Sequence, residues 1–336
     1  MEDTYLRGMG DYRRWKGRWG KVFGLEGGRL HMAYTPDTHR FLLFNMMHDG
    51  TEEDFHYLDI AQEVSKINRR LYRQGRMYHV ANVSVHDTQG DAFVRIGTLP
   101  CTWMTRTAWR KGFDAWRKQR HLALGDIDGK VTGRWSDFKV WFNDDHRSDV
   151  DKLHPVDIED DMASAGEWVM SSLYTDYNNN GVLDEFDLHM MGADNGTHAA
   201  GNMLSAGLIN AYSDVKTTPA QSPALNANIN TGLYAYVTGV GYTSSDEIID
   251  DIEDENDFPP YPTTGISGAD GNMENGWVVR ECHIASTYSP TAMLGGFAAP
   301  LGLLQIETRS AVSGNVIGLL VELAPGPYKG ILAERY

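Results

Sequence analysis

The chain has 336 residues, enough to bury one large hydrophobic core or two small ones. Its 35 glycines, 11% aromatic and 23% charged residues exclude a disordered or coiled-coil chain and point to a loop-rich β fold. The net charge of −16 is unevenly spread: residues 1–152 carry 25 Lys and Arg against 21 Asp and Glu, and residues 153–336 carry 5 against 25. Such asymmetry fits either one basic, anion-facing side and one acidic side, or an acidic part that confers solubility. No apolar run approaches the ~18 residues of a membrane span, so no membrane partner is expected. The opening residues MEDTYLRGMGDYRRW hold no apolar core for a secretory signal. Cys101 and Cys282 are therefore expected as free thiols in a reducing compartment.

The first basic element is YRRWKGRWGKVFG, residues 12–24. Arg13, Arg14, Lys16, Arg18 and Lys21 interleave with aromatic residues, Trp15 and Trp19 among them, and the stretch holds no acid. Cations for phosphates and aromatic faces for bases are the ingredients of sequence-tolerant single-strand binding. The same aromatics also suit an arm that docks on a neighbouring surface. In residues 59–75, Ile60, Val64, Ile67 and Leu71 repeat at helical spacing after Asp59 as N-cap, with Gln62 three residues on. Arg69, Arg70 and Arg73 are expected in the last turn, with Gly75 as the stop. Residues 77–87 and 92–99 alternate as strands across the turn DTQGD. RTAWRKGFDAWRKQRH (106–121) predicts a basic helix whose Trp109, Phe113 and Trp116 pack on the sheet. RWSDFKVWF (134–142) reads as a further strand.

TDYNNNGVLDEFDLHMMG, residues 175–192, has the oxygen spacing of a calcium loop. Asp176, Asn178 and Asn180 alternate before Gly181, and Asp184 and Asp187 follow. A calcium loop of that kind needs flanking helices, whereas strand periodicity runs into and out of this one. A hairpin tip is the preferred reading, with calcium held by those five residues as the alternative. Residues 202–214 predict a short helix and 233–242 a strand. Eight of the twelve residues 246–257 are acidic, which suits a solvated helix seated by Ile248, Ile249 and Ile252. Three strands close the chain at 277–286, 301–310 and 316–324, the last two joined as a hairpin by SAVSGN. No nucleophile is paired with a base at a recognisable spacing, and no phosphate loop or metal motif occurs, so no enzyme is expected.

These intervals predict an all-β sandwich with short helical insertions in its loops. The chain also resembles the jelly-roll capsid proteins of small circular Rep-encoding single-stranded DNA (CRESS-DNA) viruses, in particular the environmental and marine lineages. The resemblance covers residue 57 to the end. It rests on YLDIAQEVSKINRRLYRQGRMYHVANVSVHD, TLPCTWMTRTAWRKGFDAWR, GEWVMSSLY, DEFDLHMMG, DEIIDDIEDENDFPPY, GGFAAPLGLLQIET and VIGLLVELAPGPYKGILA. It implies an arm and leading segment over 1–56 and a single eight-stranded jelly-roll capsid domain over 57–336. It further implies self-assembly into an icosahedral shell, most simply of about sixty copies, that encapsidates circular single-stranded DNA. The protein would then reside in the virion, and in the host nucleus or cytoplasm during assembly. The arm departs from the family: five cations in residues 12–24, preceded by Glu2, Asp3 and Asp11, stand where a long Arg-rich segment is usual. The basic stretches around Arg69–Arg76 and Arg106–Arg120 are candidates to supplement it. The alternative is a secreted β-sandwich binding module with a calcium-stapled loop.

Overall fold

Phe41–His48 alternates between interior and surface as a half-buried strand does. Leu42, Phe44, Met46 and His48 are buried, while Phe41, Leu43 and Met47 stay exposed. The computed structural model describes residues 38–50, 53–124, 135–148, 152–157, 159, 161–163, 166–175, 184–196, 203–217 and 276–336. In chain order its elements begin with β1 (Phe41–His48), β2 (Asp54–Asp59), α1 (Ile60–Asn68), β3 (Arg76–Asp87), β4 (Ala92–Thr98) and α2 (Trp103–Leu124). Next come α3 (Asp144–Ser148), β5 (Ser172–Thr175), β6 (Asp184–His189), β7 (Asn195–Gly196), β8 (Met203–Gly207) and α4 (Leu208–Thr217). The chain ends with β9 (Trp277–Ile284), β10 (Thr291–Pro300), β11 (Leu303–Ser310), β12 (Asn315–Leu323), β13 (Pro325–Gly326), β14 (Gly330–Ile331) and β15 (Ala333–Arg335).

The protein is mostly β, built on two antiparallel sheets packed as a sandwich. One has the order β1-β12-β3-β10, with β15 added on β3, and the other the order β2-β11-β4-β9. Leu42, Phe44, Met46, Val83, Val85, Leu319 and Val321 of the first sheet meet Leu58, Val94, Ile96, Leu304 and Ile306 of the second in one core. Each such side chain contributes roughly 1.5–3 kcal/mol when fully buried. A second core lies on the other face of the second sheet, where Tyr57 and Leu303 meet Phe138, Phe142, Met190 and Ile209. It is roofed by α2, whose Trp109 stacks on Phe113 at 5.5 Å and meets Phe138 edge-on at 5.7 Å. No described helix is long and apolar enough to cross a membrane.

Several expectations change. The sandwich does not begin at residue 57: β1 and half of β2 lie in the segment assigned to the arm, because β1 pairs along its whole length with β12. Strands β3 and β4 do not pair with each other across DTQGD, nor do β11 and β12 across SAVSGN. Each turn carries the chain from one sheet to the other. Gly90 (φ +72°) and Gly314 (φ +74°) supply the left-handed backbone at these corners. Helix α1 stops at Asn68, before Gly75, since Arg69 adopts the left-handed conformation (φ 51°) and its N–H donates back to Lys66 O. Gly75 serves instead as a close approach, its Cα lying against the Trp109 ring. Residues 136–140 run without a ladder because side chains satisfy them: Val140 N–H donates to Gln74 Oε1 and Lys139 N–H to Ser171 Oγ. Residues 203–207 form β8 before the chain turns into α4, so the helix expected over 202–214 starts late.

Candidate nucleic-acid interface

Two of the described elements gather cations. At the end of α1, Asn68 Nδ2 donates to Val64 O and to His39 O, which fixes the turn that leaves Arg69 and Arg73 exposed and Arg70 half-exposed. Neither Arg69 nor Arg70 has a carboxylate partner among the described residues. Helix α2 buries Met104, Thr105, Ala108, Trp109 and Gly112. A 3.6-residue period therefore puts Arg106, Arg110, Lys111, Arg117 and Lys118 on the opposite, exposed face. That row extends ~18 Å at 1.5 Å per residue. Asp114 is its one acid, and Arg117 takes it at 3.1 Å.

Beside the α2 row the surface becomes aromatic. Arg120 donates to Ser136 Oγ and lies over the Trp116 ring at 5.1 Å. Gln119 clamps Tyr174 through both its backbone N–H and its carbonyl, tying α2 to β5. Lys139 is buried, with its Nζ 4.5 Å from the Trp168 ring centre and donating to Val169 O at 3.3 Å. Burial pushes that ammonium below the usual lysine range, against the pull of Asp137 and Asp59. Behind it Asp59 is the α1 N-cap, accepting from Gln62 N–H, Gln74 Nε2 and Trp168 Nε1. Burial raises the Asp59 carboxyl to about 7, opposed by its donors and reinforced by Glu63. Burial likewise raises Asp137, opposed first by Arg73 at 3.9 Å. The Trp168–Asp59–Gln74 chain of hydrogen bonds thus fixes one aromatic wall and the turn that carries Arg73.

The residues predicted for nucleic-acid binding, Arg13, Arg14, Trp15, Lys16, Arg18, Trp19 and Lys21, lie outside the described residues, as does the acidic run 246–257. So do Asp176, Asn178 and Asn180 of the calcium reading. The loop's flanks are strands: β5 pairs antiparallel with β6 from Ser172↔Asp187 to Thr175↔Asp184, the pattern of a hairpin. Asp187 accepts from Ser172 Oγ at 3.2 Å and stands 4.0 Å from Arg147, so its charge has protein partners. Among the described residues no group of three or more His, Cys, Asp or Glu is arranged to hold a metal ion. Cys101 and Cys282 are both free.

Trp135 and Lys139 were missed in the sequence because residues 134–142 read there as a plain strand, and Trp168 because GEWVMSSLY carries no motif of its own. Alternating Trp, Phe and Lys gave a signal of period two, but not which face would be covered. Neither a family model, nor a curated protein, nor a solved structure matches this chain.

Proposed function

We propose that this chain is a capsid protein that self-assembles into a closed icosahedral shell and encapsidates circular single-stranded DNA. The observation that carries the reading is the pairing order of the eight strands β1–β4 and β9–β12 that build the two sandwich sheets. Along the chain the first pairs with the eighth, the second with the seventh, the third with the sixth and the fourth with the fifth. That order supports an eight-stranded jelly roll, an architecture used by viral capsid subunits. It is the pattern of one long antiparallel ribbon folded over on itself.

Two surface features favour assembly over a lone binding module. Phe41, Leu43 and Met47 of β1, Val316 and Leu320 of β12 and Met293 of β10 leave the outer face of the first sheet apolar and exposed. An exposed apolar stretch of this kind marks a contact surface. The basic row of α2 supplies cations within the folded domain, in addition to the five that the sequence carries in residues 12–24. The test is electron microscopy and sedimentation of the purified full chain over a range of salt and calcium. Closed spherical particles, most simply of about sixty copies, are expected. A monodisperse monomer under every condition refutes the reading.

A further inference from the structure

Two adjoining cavities share Trp135 and Glu167 as a common wall. One, of about 480 Å³, is lined by Lys66, Arg69 and Arg70 with Trp168. The other, of about 540 Å³, is lined by Trp116, Arg120 and Lys139 with Tyr174. Trp135 stands between them with 55% of its surface exposed. An indole so placed has cations on both sides and aromatic walls at either end. Lys66 is engaged by Glu63 at 2.9 Å, whereas Arg120 meets only the Trp116 ring and Ser136 Oγ and keeps its charge, so the free charge facing the groove is that of Arg69, Arg70 and Arg120. The acids at the rim are Glu167, Asp137 and Glu185. Asp137 is drawn to Arg73, which leaves Glu167 and Glu185, the latter accepting from Tyr174 Oη at 2.8 Å, as the repulsive neighbours.

We propose that this groove is a binding site for single-stranded nucleic acid in the folded domain, separate from the arm. An unpaired base stacks on Trp135, and the flanking phosphates meet Arg69 and Arg70 on one side and Arg120 on the other. Acidic protein would use the cations but gain little from an exposed indole. A strand of bases uses both, and every base has a π-face, so the site is sequence-tolerant. The α2 row begins at the Arg120 side and gives the strand a continuing cationic path. The inference rests on the reading of the chain as one that packages single-stranded DNA.

The test uses the full chain and fluorescent oligo-deoxythymidine, with affinity measured against salt under conditions where the chain is dispersed. Trp135→Ala should weaken binding about tenfold or more while leaving the log–log salt slope nearly unchanged, and Trp135→Phe should restore most of the loss. Arg69→Gln/Arg70→Gln/Arg120→Gln should make the slope shallower by about 2, at ~0.7 for each phosphate contact. All three positions are on the surface, and melting temperatures equal to the parent's exclude misfolding. Parental affinity in Trp135→Ala, or a parental slope in the arginine variant, overturns the proposal. So does an arginine variant that loses polyglutamate binding while Trp135→Ala keeps oligonucleotide binding, which would mark an acidic-peptide site. Failure of the two readings is separable. Particles that form and package normally in Trp135→Ala leave the capsid reading intact and sink the groove. Trp135-dependent oligonucleotide binding by a chain that never forms particles does the reverse.

Discussion

Asp59 closes β2 and caps α1 with only 4% of its surface exposed, and all three of its hydrogen-bond partners donate to it. Burial nevertheless outweighs those donors, and the carboxyl is pushed from 3.8 to about 7. An acid whose pKa rises on folding binds more protons folded than unfolded between those two values. Its contribution is therefore present at about pH 4, is lost as the pH rises towards 7 and is level above that. At ~1.36 kcal/mol for each tenfold change in proton affinity, the ceiling is about 4 kcal/mol. Asp59→Asn removes the titration and keeps an acceptor for the Gln62 N–H, but its amide group faces the Gln74 and Trp168 donors. Losing those two bonds costs about 1 kcal/mol each at every pH. Urea unfolding of parent and variant as dispersed subunits, from about pH 4 to about pH 8, isolates the titration as a difference. The parent's advantage should shrink by about 2–4 kcal/mol across that range. A difference that is flat, or that grows with pH, would mean that the three donors hold the ionised carboxylate and that burial is not the deciding cause.

His146 should act in the opposite sense. Burial, with Lys152 adding like charge, pushes its imidazole down to about 3, and it stacks on Tyr57 at 4.9 Å. Stability should be lost as the pH falls from about 6.5 towards 3, and His146→Gln should flatten that acid limb in melting curves. Gly75→Ala would place a Cβ 2.6 Å from the Trp109 ring. Overpacking there should cost about 1–3 kcal/mol in thermal melts, and a melting temperature equal to the parent's would show that the ring shifts freely. Met47→Lys/Met293→Lys, at positions 57% and 72% exposed, should leave unfolding within about 0.5 kcal/mol per site. The same variant should abolish particles in sedimentation, and particles of parental size would show that this face lies outside the contacts.

The strands were legible where one face is buried: Val83–Asp87, Ala92–Ile96 and Asn315–Leu323 alternate in sequence as they do in burial. Their partners were not legible, and the reason is physical. Turn chemistry reports only that the chain reverses at Gly90 and Gly314. The same left-handed glycine serves a hairpin within one sheet or a corner between two. What decides is the length of both strands and the core they share. β11 is buried on nearly every residue, including Gln305 and Glu307, so it lies inside its sheet with a neighbour on each side and a layer above. With both of its edges taken by β2 and β4, β11 has no edge left for β12, which pairs with β1 and β3 in the other sheet. The basic face was legible for a related reason. On α2 the aromatic stripe and the cations fall on opposite sides of one helix, and period alone separates them. The Trp135 groove was not, since it needs stretches as far apart as residues 62–71, 116–120, 135–139 and 166–174, brought together in part by Gln74 and Ser171 bonding to a segment that forms no ladder of its own. Side chains that satisfy a distant backbone leave no period in the sequence. A site assembled by them is visible only once the chain has folded.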